Sequence, residues 1–265
     1  MIHYNVYLWN AHLMKTYRDA ILMALLLLPL YTFSAYGSPQ ETVPAEMPVR
    51  FDRIQVPFIE NKNQIPNKEV AYFAKLFDGY IHVEKNGILT YNYSSAAKKG
   101  IVISELLSQK PVSLIPLEPP PEFAVEVFKQ KGQIDGAIGN YYRLSYGRIY
   151  EGIELQLLAF ADNLEKLFTI APGGDPDTIT ITVRGAEGLK LNDSGALEIQ
   201  TKQGSVTFNQ PRAYQLVDED MKPVEVSYTI RNRMTYGFKP GGYDKKKPLI
   251  IGPFLPPALL TAPSS

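Results

Sequence analysis

The chain has 265 residues, enough for one sizeable buried core, and its 27 Lys plus Arg balance 27 Asp plus Glu. That neutrality leaves no bulk field to draw the chain to nucleic acid or anionic lipid. The absence of cysteine excludes disulfides, thiolate metal sites and Cys nucleophiles, so packing alone must hold the fold.

From Met14 the sequence reads as a leader. Lys15 and Arg18 precede an apolar run from Ile21 to Phe33, and Ala35 and Gly37 place small residues three and one before a cut after Gly37. The run is about thirteen residues, short of the roughly 20 that cross a bilayer as a helix, and Pro29 interrupts it. Residues 1–37 are therefore expected to be a cleavable signal peptide with translation starting at Met14, and the mature protein to be periplasmic or extracellular. Contact with membrane is expected only through the signal peptide before cleavage. Residues 38–48 carry Pro39, Pro44 and Pro48 without a hydrophobic period and read as a disordered spacer.

A β-domain is expected over 49–254. Val70 to Tyr93 splits into three β-rich runs at Asp78-Gly79 and Asn86-Gly87, which predicts a meander with two-residue primed turns. A helix over Lys68 to Phe77 is the competing reading. Ile101 to Leu107 and Val112 to Leu117 read as short strands ended by Pro119-Pro120-Pro121, and Phe123, Val125 and Val127 alternate beyond them. Strands are then predicted at Tyr141 to Tyr150, Ile153 to Phe160, Leu164 to Ile170 and Thr178 to Val183, the last with one wet face. A hairpin spans Leu189 to Thr201 around Asn192-Asp193-Ser194-Gly195 and continues through Ser205 to Asn209. Val224 to Arg231 pairs with Thr235 to Lys239, and Pro248 opens a last apolar stretch that becomes a Pro-rich tail at 255–265. Strands at regular spacing without amphipathic helices predict an all-β, antiparallel, sandwich-like domain.

These pieces in this order resemble the N-terminal domain of unknown function that precedes seven-bladed, SBBP-type β-propeller repeats in secreted bacterial proteins. The resemblance rests on Phe58-Ile59-Glu60-Asn61 with Gln64, Tyr150-Glu151-Gly152-Ile153-Glu154-Leu155, Pro172-Gly173-Gly174-Asp175-Pro176, and Asp193-Ser194-Gly195-Ala196-Leu197. It continues through Ala213-Tyr214-Gln215, Tyr236-Gly237-Phe238 and Tyr243-Asp244 before Pro248-Leu249-Ile250-Ile251. Asn63 stands where that family usually has glycine, Gly252 where it usually has Asp, and no propeller repeat follows within the 265 residues. The resemblance carries no established activity over to this chain.

Candidate chemistry is sparse. His82 is the one histidine after the leader, so no multi-histidine metal site forms, and no Gly-x-Ser-x-Gly elbow is present. No cofactor and no catalytic residue is expected. Asp175, Asp177 and Asp193 are weak calcium candidates in oxygen-rich turns. Glu151, Glu154 and Glu165 crowd one stretch, and Tyr141, Tyr142, Tyr146 and Tyr150 offer a ligand face for sugar stacking. Lys245-Lys246-Lys247 with Lys239 make a local basic patch. The leading expectation is an exported, non-catalytic module for interaction or scaffolding whose partner is an envelope or extracellular protein or a glycan. The alternatives are a carbohydrate-binding or glycan-cleaving sandwich and a truncated fragment of a propeller protein.

Overall fold

The structure is a computed structural model that describes residues 54–108, 110, 112–118, 138–217 and 220–252. The leader, the spacer, the Pro119 to Pro121 block, the Phe123 to Val127 alternation and the Pro-rich tail lie outside these residues. The first strands are β1 (Gln55–Val56), β2 (Phe58–Glu60), β3 (Val70–Leu76), β4 (Gly79–Glu84), β5 (Ile88–Tyr93), β6 (Val102–Leu106) and β7 (Ile115–Leu117). They are followed by β8 (Asn140–Tyr141), β9 (Arg143–Tyr150), β10 (Ile153–Phe160), β11 (Leu164–Ile170), β12 (Ile181–Arg184), β13 (Gly188–Leu191), β14 (Leu197–Thr201) and β15 (Gly204–Phe208). The last are β16 (Ala213–Val217), β17 (Asp220–Val224), β18 (Val226–Asn232), β19 (Thr235–Pro240) and β20 (Leu249–Ile251).

One sheet runs β17-β16-β20-β11-β10-β9-β7, with β1 also paired to β10; a second runs β18-β19-β12-β6-β5-β4-β3-β2-β8; a third is β13-β14-β15. Each pairing is antiparallel. Among the described residues there is no α-helix, and no helix long and apolar enough to cross a membrane. The molecule is all-β, as the alternation predicts.

The two large sheets share one apolar core. Leu155, Leu157 and Phe168 from the first meet Leu89, Ile103 and Tyr236 from the second, and the Phe168 and Phe238 rings cross edge-on at 5.3 Å. The third sheet adds Leu197, Ile199 and Val206 to the same cluster. Period-two alternation explains this: one parity of each strand is apolar and turns inward, leaving the other parity to solvent or to a smaller cluster of Leu158, Leu167, Tyr214 and Ile250.

Local departures have identifiable causes. Lys68 to Phe77 is not helical; β3 pairs with both β2 and β4. Leu76 pairs with Gly79, so Phe77 and Asp78 make the first bend and Gly79 already belongs to β4. A Cβ there would lie 2.0 Å from the Asn92 carbonyl oxygen, so the glycine answers close backbone approach. At Asn86-Gly87 only the glycine has positive φ, 81°. Gly87 N–H donates to the Glu84 carbonyl, a turn closed by a left-handed glycine and not a two-residue primed turn.

Thr178 to Val183 is only half strand. Asp175 accepts from Asp177 N–H and caps a 3-10 turn over Pro176–Thr178, with Pro176 fixing the first φ, so the strand starts at Ile181. From there the wet face holds: Ile181 and Val183 are buried while Thr182 and Arg184 are not. The strand expected from Val112 shortens to β7, and the one expected from Tyr141 breaks at Tyr142 into β8 and β9, which join different sheets. Ala213–Val217 and Asp220–Val224 form a hairpin for which the sequence reading had no strand, with Pro223 on the outermost strand of its sheet.

Candidate functional site

Two strands break the inward apolar rule. On β6 and its flanks the inward parity reads Ile101, Ile103, Glu105, Leu107; on β11 it reads Leu164, Lys166, Phe168, Ile170. Glu105 is 0% exposed. Lys166 reaches it from the opposite sheet, Nζ to Oε2 at 2.6 Å. Tyr91 on β5 donates its hydroxyl to the same carboxylate at 2.8 Å, and Tyr236 on β19 donates to Oε1 at 2.5 Å. Burial and the adjacent Glu105 charge push both tyrosines well above the usual phenol range. Every oxygen of the buried carboxylate is thus occupied.

Lys166 also donates to the Tyr91 oxygen at 3.1 Å, and its ammonium lies 4.7 Å from the Phe208 ring centre. An ammonium has three donors. Two are used here, and among the described residues no other acceptor takes the third. Lys166 lines the floor of a cleft of about 390 Å³, whose mouth is formed by bends between strands.

The cleft is built from bends. The β10–β11 turn supplies Asp162 and Asn163, the start of β11 supplies Glu165, and the connection after β15 supplies Asn209, Gln210 and Arg212. Across from these stand Asp78 and Lys98, paired at 2.5 Å. The lysine holds the Asp78 carboxyl below its ordinary value, chiefly through the hydrogen bond. Asn163 donates to Glu165 at 2.6 Å, yet burial still raises the Glu165 carboxyl above its ordinary value. Phe208, Tyr228 and Phe238 make the apolar wall. A smaller cavity of about 60 Å³ adjoins it and shares Phe208 and Asn163.

The residues singled out from the sequence fare unevenly. Tyr146 is 2% exposed and belongs to the core, so it presents no ligand face; its hydroxyl is buried without a partner among the described residues. Tyr150 is half-buried and its hydroxyl bridges the Thr180 backbone, donating to the carbonyl at 2.9 Å and accepting from N–H. Tyr141 is half-buried edge-on to Tyr72, and Tyr142 is half-buried. The four rings therefore do not share one open surface, because alternation along β9 sends Tyr146 inward.

Glu165 enters the cleft, but Glu151 and Glu154 stay exposed elsewhere. Glu165 pairs with Leu158, four residues along β10 from Glu154. At about 3.3 Å per residue that is roughly 13 Å, beyond the spacing of a glycosidase pair. Asp175 and Asp177 serve the 3-10 cap, and Asp193 sits in the exposed bend where Asn192 accepts from Ser194 and Ala196 N–H. Among the described residues no three His, Asp or Glu gather as a metal site.

His82 faces outward half-buried against Asn92, with burial lowering its pKa. Lys245 and Lys246 are exposed in a turn clamped by Gln215, which donates to the Asp244 carbonyl at 2.9 Å and accepts from Asp244 N–H. Asn63, in the position the resemblance gives to glycine, adopts φ 76°, a conformation that glycine enters without cost and asparagine tolerates.

Fold and site together define an all-β module of two large antiparallel sheets with a polar cleft at its mouth. Residues 58–254 match the model of a family described as "Domain of unknown function (DUF7948)", and the chain belongs to that family. No curated protein and no solved structure matches it.

Proposed function

We propose that this chain is an exported, non-catalytic β-domain that engages a partner in the cell envelope or outside the cell through its mouth cleft. The observation that carries the reading is the cleft floor. Glu105, 0% exposed and saturated by Lys166, Tyr91 and Tyr236, anchors Lys166 there, and Lys166 keeps a third donor that no acceptor takes among the described residues. A fixed cationic donor beside an apolar wall suits recognition of a ligand oxygen.

Export is supported by the basic start, the short apolar run and the Ala35 to Gly37 cleavage pattern. An accessory role is supported by the resemblance to domains that precede SBBP-type propeller repeats. The test is capture from envelope extract by the mature protein. Wild type retains a specific partner that Asp162→Arg, which fills the cleft mouth, loses, and N-terminal sequencing of the captured bait starts at Ser38. Turnover of a glycan or peptide by the purified protein, or an uncut leader retained in the cytosol, contradicts the reading.

A further inference from the structure

The charges of the mouth cleft cancel: Asp78, Asp162 and Glu165 face Lys98, Lys166 and Arg212. Lys98 is paired with Asp78 and Lys166 with Glu105 within the protein. An anionic ligand would meet the carboxylates of Asp162 and Glu165, and a cationic one would meet Lys166 and Arg212. What remains unspent is hydrogen-bonding capacity of both signs.

Lys166 holds a donor at the floor without a protein acceptor among the described residues. Asp162 is exposed at the rim, and among the described residues its carboxylate accepts no side-chain hydrogen bond. Glu165, which lines the cleft, accepts from Asn163 through Oε1, and among the described residues no side-chain donor is found on its second oxygen. Planar carboxylates match pairs of neighbouring hydroxyls, and the apolar wall of Phe208, Tyr228 and Phe238 matches C–H surface. The volume of about 390 Å³ lies within the range of small-ligand sites.

We propose that the mouth cleft is a saccharide subsite that takes an uncharged, hydroxyl-rich sugar unit. Lys166 donates to one sugar oxygen at the floor, Asp162 and Glu165 accept from hydroxyls at the rim, and the aromatic wall covers the C–H side. The site is distinct from the Tyr141 to Tyr150 stretch, and the inference rests on the reading of the cleft as a binding site.

The experiment uses the mature protein on an array of neutral and acidic oligosaccharides, followed by calorimetric titration of the strongest neutral hit. Asp162→Ala is expected to weaken binding about tenfold, the loss of one or two hydrogen bonds to a charged acceptor, with an unchanged thermal midpoint because Asp162 supports no other side chain. Lys166→Met is expected to abolish binding; since it also strands Glu105, Asp162→Ala decides the matter. An array that is empty or answers only to acidic glycans, or full affinity in Asp162→Ala, overturns the saccharide assignment. If the array is empty while envelope extract still supplies a partner that Asp162→Arg loses, the sugar class fails and the binding reading stands. If Asp162→Arg loses nothing in either assay, both fail.

Discussion

Lys166 on β11 and Glu105 on β6 meet at 2.6 Å across the interior of the sandwich, the one on the first sheet and the other on the second. Both occupy positions where their strands otherwise turn Ile, Leu or Phe inward, so each charge is held in place by the other. Removing one partner leaves an uncompensated buried charge, which costs about 3–5 kcal/mol. Glu105→Ala and Lys166→Ala are each expected to lower the thermal midpoint by roughly 10 °C. The pair Glu105→Leu with Lys166→Met is expected to recover most of that loss in a denaturation series, because a buried ion pair contributes little beyond its apolar replacement. Two additive single losses would contradict this.

Alkaline pH should unfold the protein cooperatively. Burial raises Tyr91, Tyr146 and Tyr236 above the ordinary phenol value, with Glu105 adding to each. In the unfolded chain these phenols ionise near pH 10. Above that pH the native state holds protons that the unfolded state has lost, so stability falls with rising pH by about 1.4 kcal/mol per group per pH unit. Tyrosinate absorbance is expected to rise together with loss of the far-ultraviolet β signal. A gradual phenol titration centred near pH 10 in a folded protein would show that these rings are solvated.

Tyr146 carries a buried hydroxyl without a partner among the described residues. Tyr146→Phe removes that desolvation cost, and the midpoint in denaturant is expected to rise by about 1 kcal/mol equivalent. Had Tyr146 belonged to a ligand face, the same change would leave stability alone and weaken binding.

Glu165 shows the opposite pH sign from a paired carboxylate. Burial, its largest influence, raises the native pKa. As pH climbs through the ordinary carboxyl range the unfolded chain gives up this proton first, so the native state loses stability, and the ionised group is a burden at neutral pH. Glu165→Gln keeps the acceptor for Asn163 and is expected to raise the thermal midpoint at pH 7 but not near pH 4. An equal effect at both would remove the electrostatic cause.

The strands were legible wherever alternation ran clean, as in Ile153 to Phe160 and Leu164 to Ile170, because period two alone sorts core from surface. Bends were legible in place but not in type: Gly79 serves the close approach of Asn92, a tertiary demand that no dipeptide announces. The floor of the cleft was legible in parity, since Ile101, Ile103, Glu105, Leu107 and Leu164, Lys166, Phe168, Ile170 each put one charge into an apolar register. One charge in each apolar run is a fainter signal than the Tyr141 to Tyr150 cluster, and only the facing of β6 and β11 turns the two charges into a pair. The rim was not legible at all, because Asp78, Asp162 and Arg212 are brought together only by the pairing of distant strands.

If the mouth cleft is where this protein meets its ligand, a photo-crosslinking amino acid placed in turn at Asp162 and at Lys245 in the full chain, in cells, separates the cleft from the rest of the surface. An adduct is expected from position 162 at the cleft mouth and none from position 245 in the exposed turn clamped by Gln215. An adduct from position 245 alone, or no adduct from position 162, would contradict a ligand site in the cleft.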